Sequence, residues 1–331
     1  MSLAKNKIYF RADGSSQIGL GHVIRSLALA EMLCDVFDCI FIIKNPNATL
    51  KKNILEICKE IIVLDDSIDL IEEANFLVKE HLDQDVIMVI DGYHFETTYQ
   101  KIIKANQTKL VAIDDIHAYH FLSDIVFNHG GGIQKGVYSA EPYTQFYLGI
   151  EYMLLRKPFR EAARKGVARK KEQAIFICLG GADPNNQILE VLDTCKNLKI
   201  NHKLYIIIGS AYQHFNSLKK YLEESGLHYE LLRNLDAKEM VGYMSRCPIA
   251  ITSPSGISYE YLSIGGILYI YTIADNQKHI HEFLTLNKLA LDFSEFLKDF
   301  DEEKWNKRLQ TFFDGDQQKR YIDIFKKLIE S

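Results

Sequence analysis

Short runs rich in Val, Ile and Phe alternate with longer amphipathic stretches along most of the chain, the pattern of βα units built on a parallel sheet covered on both faces. Two such series can be read. Strands of the first are predicted near residues 8–11, 39–44, 61–64, 86–90, 110–113 and 125–127, and those of the second near 174–179, 203–209, 229–232, 249–252 and 267–273. The charged segment 160–172 between them reads as an interdomain linker and a helix, which places a first Rossmann-like domain at 1–157 and a second at 158–331. Asp236-Ala237-Lys238-Glu239 reads as a capping box. From about Phe293 onward the pattern turns helical and charged, and the sequence does not decide whether this tail packs back on the first domain or forms an oligomer contact.

The loop after the first strand carries the sharpest chemical signal. Gly19-Leu20-Gly21-His22 precedes Val23, Ile24, Leu27, Ala30, Glu31 and Leu33, which repeat with helical spacing. That spacing starts a helix near Gly21 and puts His22 in its first turn. The positive end of the helix dipole favours an uncharged ring there, one able to accept a proton. Two phosphate-binding patterns fail on the same loop. A dinucleotide fingerprint needs a third glycine where Ile24 stands, and a P-loop needs lysine where Leu20 stands. Asp13, just before the loop, is a candidate to orient the imidazole or a water, or to shape the turn.

Ligands of open α/β sheets bind beyond the carboxyl ends of the strands, so the residues after each apolar run become candidates. Gly180-Gly181-Ala182-Asp183-Pro184 offers glycines for close backbone approach, with Asp183 capping the next helix and Pro184 in its first turn. Ser253-Pro254-Ser255-Gly256 offers a second anion cradle, and Glu260 one turn inside is suited to a ribose diol. Asn276 and Gln277, in Asp275-Asn276-Gln277, have amides that both donate and accept, as sugar hydroxyl or acetamido groups require. In the first series, Asp91-Gly92-Tyr93, Asp114-Asp115 and Asn128-His129-Gly130-Gly131-Gly132 occupy the same kind of position. Asp114 and Asp115 point to opposite sides and read as a helix cap and a solvated acid.

Composition narrows the setting. With 331 residues and 47% hydrophobic content the chain can bury two cores. A net charge of −5 argues against a nucleic-acid partner. Six cysteines without CxxC spacing, and a short polar start without the shape of a signal peptide, point to a reducing cytoplasm. The longest apolar stretch is too short to span a membrane. Neither His117 and His120 nor His279 and His281 find a third ligand in the sequence, so no metal is expected.

Taken together, Phe10-Arg11-Ala12-Asp13, Gly19 through Arg25, Ile90-Asp91-Gly92-Tyr93, Asp114-Asp115, Leu148-Gly149 with Tyr152, Leu155-Arg156, Cys178-Leu179-Gly180-Gly181-Ala182-Asp183 and Asp275-Asn276-Gln277 resemble one family over roughly residues 8–293. It is the nucleotide-sugar hydrolases of pseudaminic acid biosynthesis, which remove UDP from UDP-2,4-diacetamido-2,4,6-trideoxy-β-L-altropyranose. The wider resemblance is to glycosyltransferases of the GT-B type, which implies α/β architecture with two Rossmann-like domains facing across a cleft. By that resemblance His22 is the base, Gly19, Gly21, Arg25, Tyr93, Asn276 and Gln277 belong to the sugar side, and Gly180, Gly181, Ser255, Gly256 and Glu260 hold the nucleotide. Water attack at the anomeric carbon with inversion follows, with a UDP-sugar as the partner and no cofactor, metal or obligatory protein partner. The alternative is a glycosyltransferase using a UDP-sugar donor and a sugar or lipid-linked acceptor. The run Gly130 to Gly132 and the proline Pro254, which removes one amide donor, depart from the family pattern.

Overall fold

The structure, a computed structural model, describes residues 5–14, 20–165, 172–296 and 312–330, apart from the side chain of Asn276. Two compact units result, one of Met1–Leu154 with Asp316–Ser331 and one of Leu155–Gly315. Both are α/β units built on parallel sheets.

The strands of the first unit are β1 (Lys7–Ala12), β2 (Asp38–Lys44), β3 (Glu60–Leu64), β4 (Ile87–Asp91), β5 (Lys109–Ile113), β6 (His120–Phe121), β7 (Ile125–Asn128), β8 (Ser139–Ala140) and β9 (Gln145–Leu148). Seven of them form one sheet in the order β3-β2-β1-β4-β5-β7-β9, every neighbour parallel, while β6 and β8 pair separately. Strand order reverses between β1 and β4, so the connections on either side leave toward opposite faces and open a crevice at their carboxyl ends. Side-chain alternation sends Ile8, Phe10 and Ala12 into one core with Phe41, Val89 and Phe127. Tyr9 goes to the other face with Ile40, Ile42, Met88 and Ile90.

Helix Gly21–Leu33 covers the first of these cores together with the C-terminal helix Gln317–Glu330, which buries Tyr321, Ile324, Phe325 and Leu328. The Phe325 ring lies parallel to that of Phe127, centroids 6.2 Å apart, and the Tyr321 hydroxyl donates to the Tyr152 carbonyl at 2.6 Å. Helices Leu70–Glu80 and Thr97–Lys104 pack together over the second core. Asp69 caps the former by accepting from the Ile71 and Glu72 amides.

In the second unit β10 (Ala174–Cys178), β11 (Lys203–Ile208), β12 (Tyr229–Arg233), β13 (Ile249–Thr252), β14 (Ile267–Ile270) and β15 (Leu291–Asp292) form a parallel sheet ordered β12-β11-β10-β13-β14-β15. Its reversal lies between β10 and β13. Ile175, Ile177, Ile206 and Ile251 fill one face under helices Ile188–Asn197 and Phe215–Ser225. Helix Gly256–Ile264 is buried from Ser258 onward, with Tyr261 stacked on Phe176. Where the sequence reads a charged linker and helix, Lys157–Lys165 is a packed helix that buries Phe159, Arg160 and Ala162 against helices Ala237–Arg246 and Gly256–Ile264. Both hydrogen bonds of the Asp236–Glu239 capping box are made. Among the described residues no helix is long and apolar enough to cross a membrane.

Candidate active site

Helix Gly21–Leu33 begins directly after the β1 loop, with Leu20 as its N-cap, so His22 stands in the first turn at the carboxyl edge of the first sheet. Its neighbour across the reversal is the last residue of β4. Ala12 and Asp91 are register partners, which carries the Asp91 carboxylate to the His22 ring. The His22 Nδ1 to Asp91 Oδ1 distance is 2.7 Å.

Asp91 is 1% exposed, and Arg25, one turn after His22, holds it from below. The Arg25 Nε donates to Oδ2 at 2.7 Å and Nη2 to Oδ1 at 2.6 Å, while Ser26 Oγ donates to Oδ2 at 3.1 Å. Burial raises the Asp91 carboxyl, but the Arg25 charge and the hydrogen bonds from Arg25 and His22 outweigh it and hold it at about 2. A carboxylate held that low cannot donate, so the hydrogen in the contact lies on Nδ1, and in the uncharged form of the ring the lone pair is on Nε2. Arg25 Nη2 comes within 3.1 Å of Nδ1 because both donors converge on the same oxygen. The remaining guanidinium edge donates to Asp115 Oδ2 at 2.9 Å. Arg25 is thus a brace between two carboxylates. Tyr93 closes the arrangement, its ring edge-on to His22 at 4.8 Å and its hydroxyl 3.3 Å from Asp115 Oδ2.

Asp13 is not the carboxylate on His22. The Arg11 guanidinium takes both of its oxygens at 2.5 and 2.7 Å, and the Lys44 amide donates to Oδ1 at 2.9 Å. Burial opposes its ionisation, yet these contacts keep the Asp13 carboxyl below the usual range. Arg11 is in turn tied to the buried Glu73 at 2.7 Å, which also accepts from Tyr99 at 3.0 Å. Arg11, Glu73 and Tyr99 are buried, and with the partly exposed Asp13 they form a strut between β1 and helices Leu70–Glu80 and Thr97–Lys104. Asp114 caps no helix: it is buried, accepts from the His117 amide at 2.8 Å and from Tyr138 at 3.0 Å, and burial raises its carboxyl. Gly21 has nothing within 4 Å of a hypothetical Cβ, and Gly19 lies outside the described residues.

In the second unit, the loops after β10 and β13 flank the other reversal. Gly180 has φ +97°, a conformation that favours glycine, and a Cβ on Gly209 would sit 2.6 Å from the Gly181 Cα, so the β10 and β11 loops touch. Pro184 precedes the next helix rather than starting it. Asp183 accepts from the Gln187 and Ile188 amides at 2.8 and 2.9 Å, occupying donors that a phosphate would otherwise use. Helix Gly256–Ile264 differs: Ser255 is its N-cap in extended backbone, and no side chain caps its amides. Ser253 and Ser255 hydroxyls lie 3.2 Å apart beside it. Glu260 is held by a parallel fork from Arg156, at 2.7 and 2.8 Å. Gln277 folds back so that its Oε1 accepts from the Ile273 amide at 2.9 Å. The side chain of Asn276 lies outside the described residues. Among the described residues no group of three His, Cys, Asp or Glu side chains is placed to hold a metal.

No family model matches the chain. It is 28% identical over 292 residues to the UDP-2,4-diacetamido-2,4,6-trideoxy-beta-L-altropyranose hydrolase of Campylobacter jejuni, covering 87% of this chain and 99% of that one. It is also 28% identical to the spore coat polysaccharide biosynthesis protein SpsG of Bacillus subtilis, over 85% of this chain and 81% of that one. A further 28% match, to an uncharacterized protein of Methanocaldococcus jannaschii, covers 78% of this chain but only 54% of that relative's length. Among solved structures, a UDP-glucosyltransferase from Polygonum tinctorium superposes with a TM-score of 0.65 at 10% identity over 100% of both chains. MurG of Acinetobacter baumannii does so with 0.61 at 12% identity over 98% of this chain and 99% of that one. The fold is therefore that of the GT-B glycosyltransferases, carried by a chain similar along most of its length to a UDP-sugar hydrolase and to a polysaccharide-biosynthesis protein.

Proposed function

We propose that this protein is an enzyme that hydrolyses a UDP-sugar at the anomeric carbon, within nonulosonate or surface-polysaccharide biosynthesis. The observation that carries the reading is the Asp91 carboxylate on His22 Nδ1 at 2.7 Å, which fixes the tautomer with Nε2 free to take a proton. His22 Nε2 removes a proton from water as the water oxygen bonds to the anomeric carbon. The bond from that carbon to the diphosphate oxygen breaks on the opposite face, the electron pair leaves with UDP, and the centre inverts. Arg25 acts through Asp91 rather than on the sugar, and Tyr93 lines the sugar side.

Nucleotide binding is assigned to the second unit. Backbone amides around Gly180 and Gly181 and at the uncapped start of helix Gly256–Ile264, with Ser255, would carry the diphosphate charge. The ribose diol would meet Glu260, whose two oxygens are oriented by Arg156 and retain lone pairs for hydroxyl donors. Asn276 and Gln277 sit in the loop after β14 and are assigned to the sugar. The GT-B fold also fits a glycosyltransferase, in which His22 would take the proton of an acceptor hydroxyl. Incubation with a panel of UDP-sugars and no acceptor tests the choice. Release of UDP that His22→Ala abolishes supports hydrolysis; release that requires an added sugar or lipid-linked acceptor supports transfer instead.

A further inference from the structure

One titratable side chain at the same edge of the first sheet has no part in this mechanism. His129 follows the last residue of β7, on the strand that lies next to β5. Its backbone is pinned from both sides: the buried Asn128 accepts from the Gly130 amide at 2.8 Å and donates to the Tyr138 hydroxyl at 2.8 Å. A Cβ at Gly130 would approach Asn128 Oδ1 to 2.9 Å, so the turn leaves little room to shift. The His129 Nδ1 is sealed from solvent and has no hydrogen-bond partner among the described residues. Burial, and then the nearby Arg25 charge, push the ring down to about 4, so it is neutral near pH 7.

A neutral imidazole with one stranded nitrogen must choose which atom carries the proton. A buried N–H without an acceptor is the rarer and costlier state, so the hydrogen belongs on Nε2 and the bare lone pair on Nδ1. His129 then presents a single N–H donor on its half-buried side. The surrounding charge decides what that donor meets. Arg25 is already paired with both Asp91 and Asp115 and is not free to receive an anionic group, and a carboxylate would face two others.

We infer that His129 is a positioning residue for the sugar, donating from Nε2 to an uncharged acceptor oxygen, a hydroxyl or an acetamido carbonyl. This rests on the UDP-sugar reading. One such hydrogen bond corresponds to roughly a 3- to 10-fold change in affinity.

The test is calorimetric titration of the intact protein with UDP, UDP-glucose and UDP-N-acetylglucosamine, comparing wild type with His129→Ala, His129→Leu and His129→Gln. The expected result is that all four bind UDP alike. Whichever UDP-sugar binds the wild type more tightly than UDP loses that advantage by about 3- to 10-fold in the Ala and Leu variants. Gln, which keeps an N–H donor, should recover most of it. Equal loss for UDP and UDP-sugar, no loss in either apolar variant, or a wild type that gains nothing from any sugar would overturn the inference. Absence of UDP release from any UDP-sugar in the wild type would defeat the hydrolase reading separately, because the binding comparison does not depend on turnover.

Discussion

Replacing Asp91 by Asn removes one charge from a site that is almost wholly closed to solvent. The amide must turn either its NH2 toward the Arg25 donors or toward His22 Nδ1–H, and each choice sets two donors against each other. Facing the imidazole, it drives the proton to Nε2, the nitrogen that has to be bare. The fall of the Asp91 carboxyl from an ordinary 3.8 to about 2 corresponds to roughly 2 to 3 kcal/mol of stability through linkage. Leaving Arg25 half-paired brings the expected cost of Asp91→Asn to about 3 to 5 kcal/mol, which a thermal melt would register. For turnover, loss of the correct tautomer should lower kcat for UDP release by about 100- to 10,000-fold. The double variant His22→Ala/Asp91→Asn decides whether the effect runs through the imidazole. If Asp91 acts only by orienting His22, the pair should be no slower than His22→Ala alone. An Asp91→Asn protein that is folded and keeps kcat within about threefold of wild type, well short of the loss expected for general-base catalysis, would refute the reasoning.

Two other outcomes follow from the same structure. Because the folded ring of His129 takes a proton only near 4 while an unfolded histidine does so near 6.5, the unfolded state binds more protons between those values. Stability therefore rises with pH across that window, so melting temperature should drop on acidification from about 6.5 to 4 and drop less in His129→Gln. Phe325→Ala in the C-terminal helix opens a cavity against Phe127, and chemical denaturation should show a loss of about 3 to 5 kcal/mol. A loss below about 1 kcal/mol would mean that the helix is not part of the core.

The doubly wound sheets could be recognised in the sequence because fully buried parallel strands must be apolar on both faces and so stand out as continuous runs, as in Ile40, Phe41, Ile42 and Ile43. β9, with the sequence Gln145-Phe146-Tyr147-Leu148 and no fully buried side chain, sits at the edge of the sheet and gives no such signal. Lys157–Lys165 was obscured by its charges, since its core contact is made by Phe159 and Ala162, three residues apart among Lys, Arg and Glu. His22 could be singled out because glycine and helix-start signals are local. Its partner could not: Asp91 lies 69 residues away, and only the pairing of β1 with β4 brings the two together. The Asp91-Gly92-Tyr93 stretch was visible as a loop after a strand, and a rule that pairs the ends of strands flanking the reversal would have found it. A second long-range contact links Arg11 to Glu73, 62 residues apart, and the Arg11 it orients holds Asp13, a tie that sequence proximity to His22 does not reveal.

The C-terminal helix gives the order of assembly a direction. The second unit is one unbroken stretch of chain, Leu155–Gly315, whereas the first needs Gln317–Glu330 to roof Phe127. On the ribosome, where residues emerge at about 5 to 20 per second, the half made earliest is therefore finished last. Until its roof arrives it holds bare aromatic surface that a chaperone would recognise.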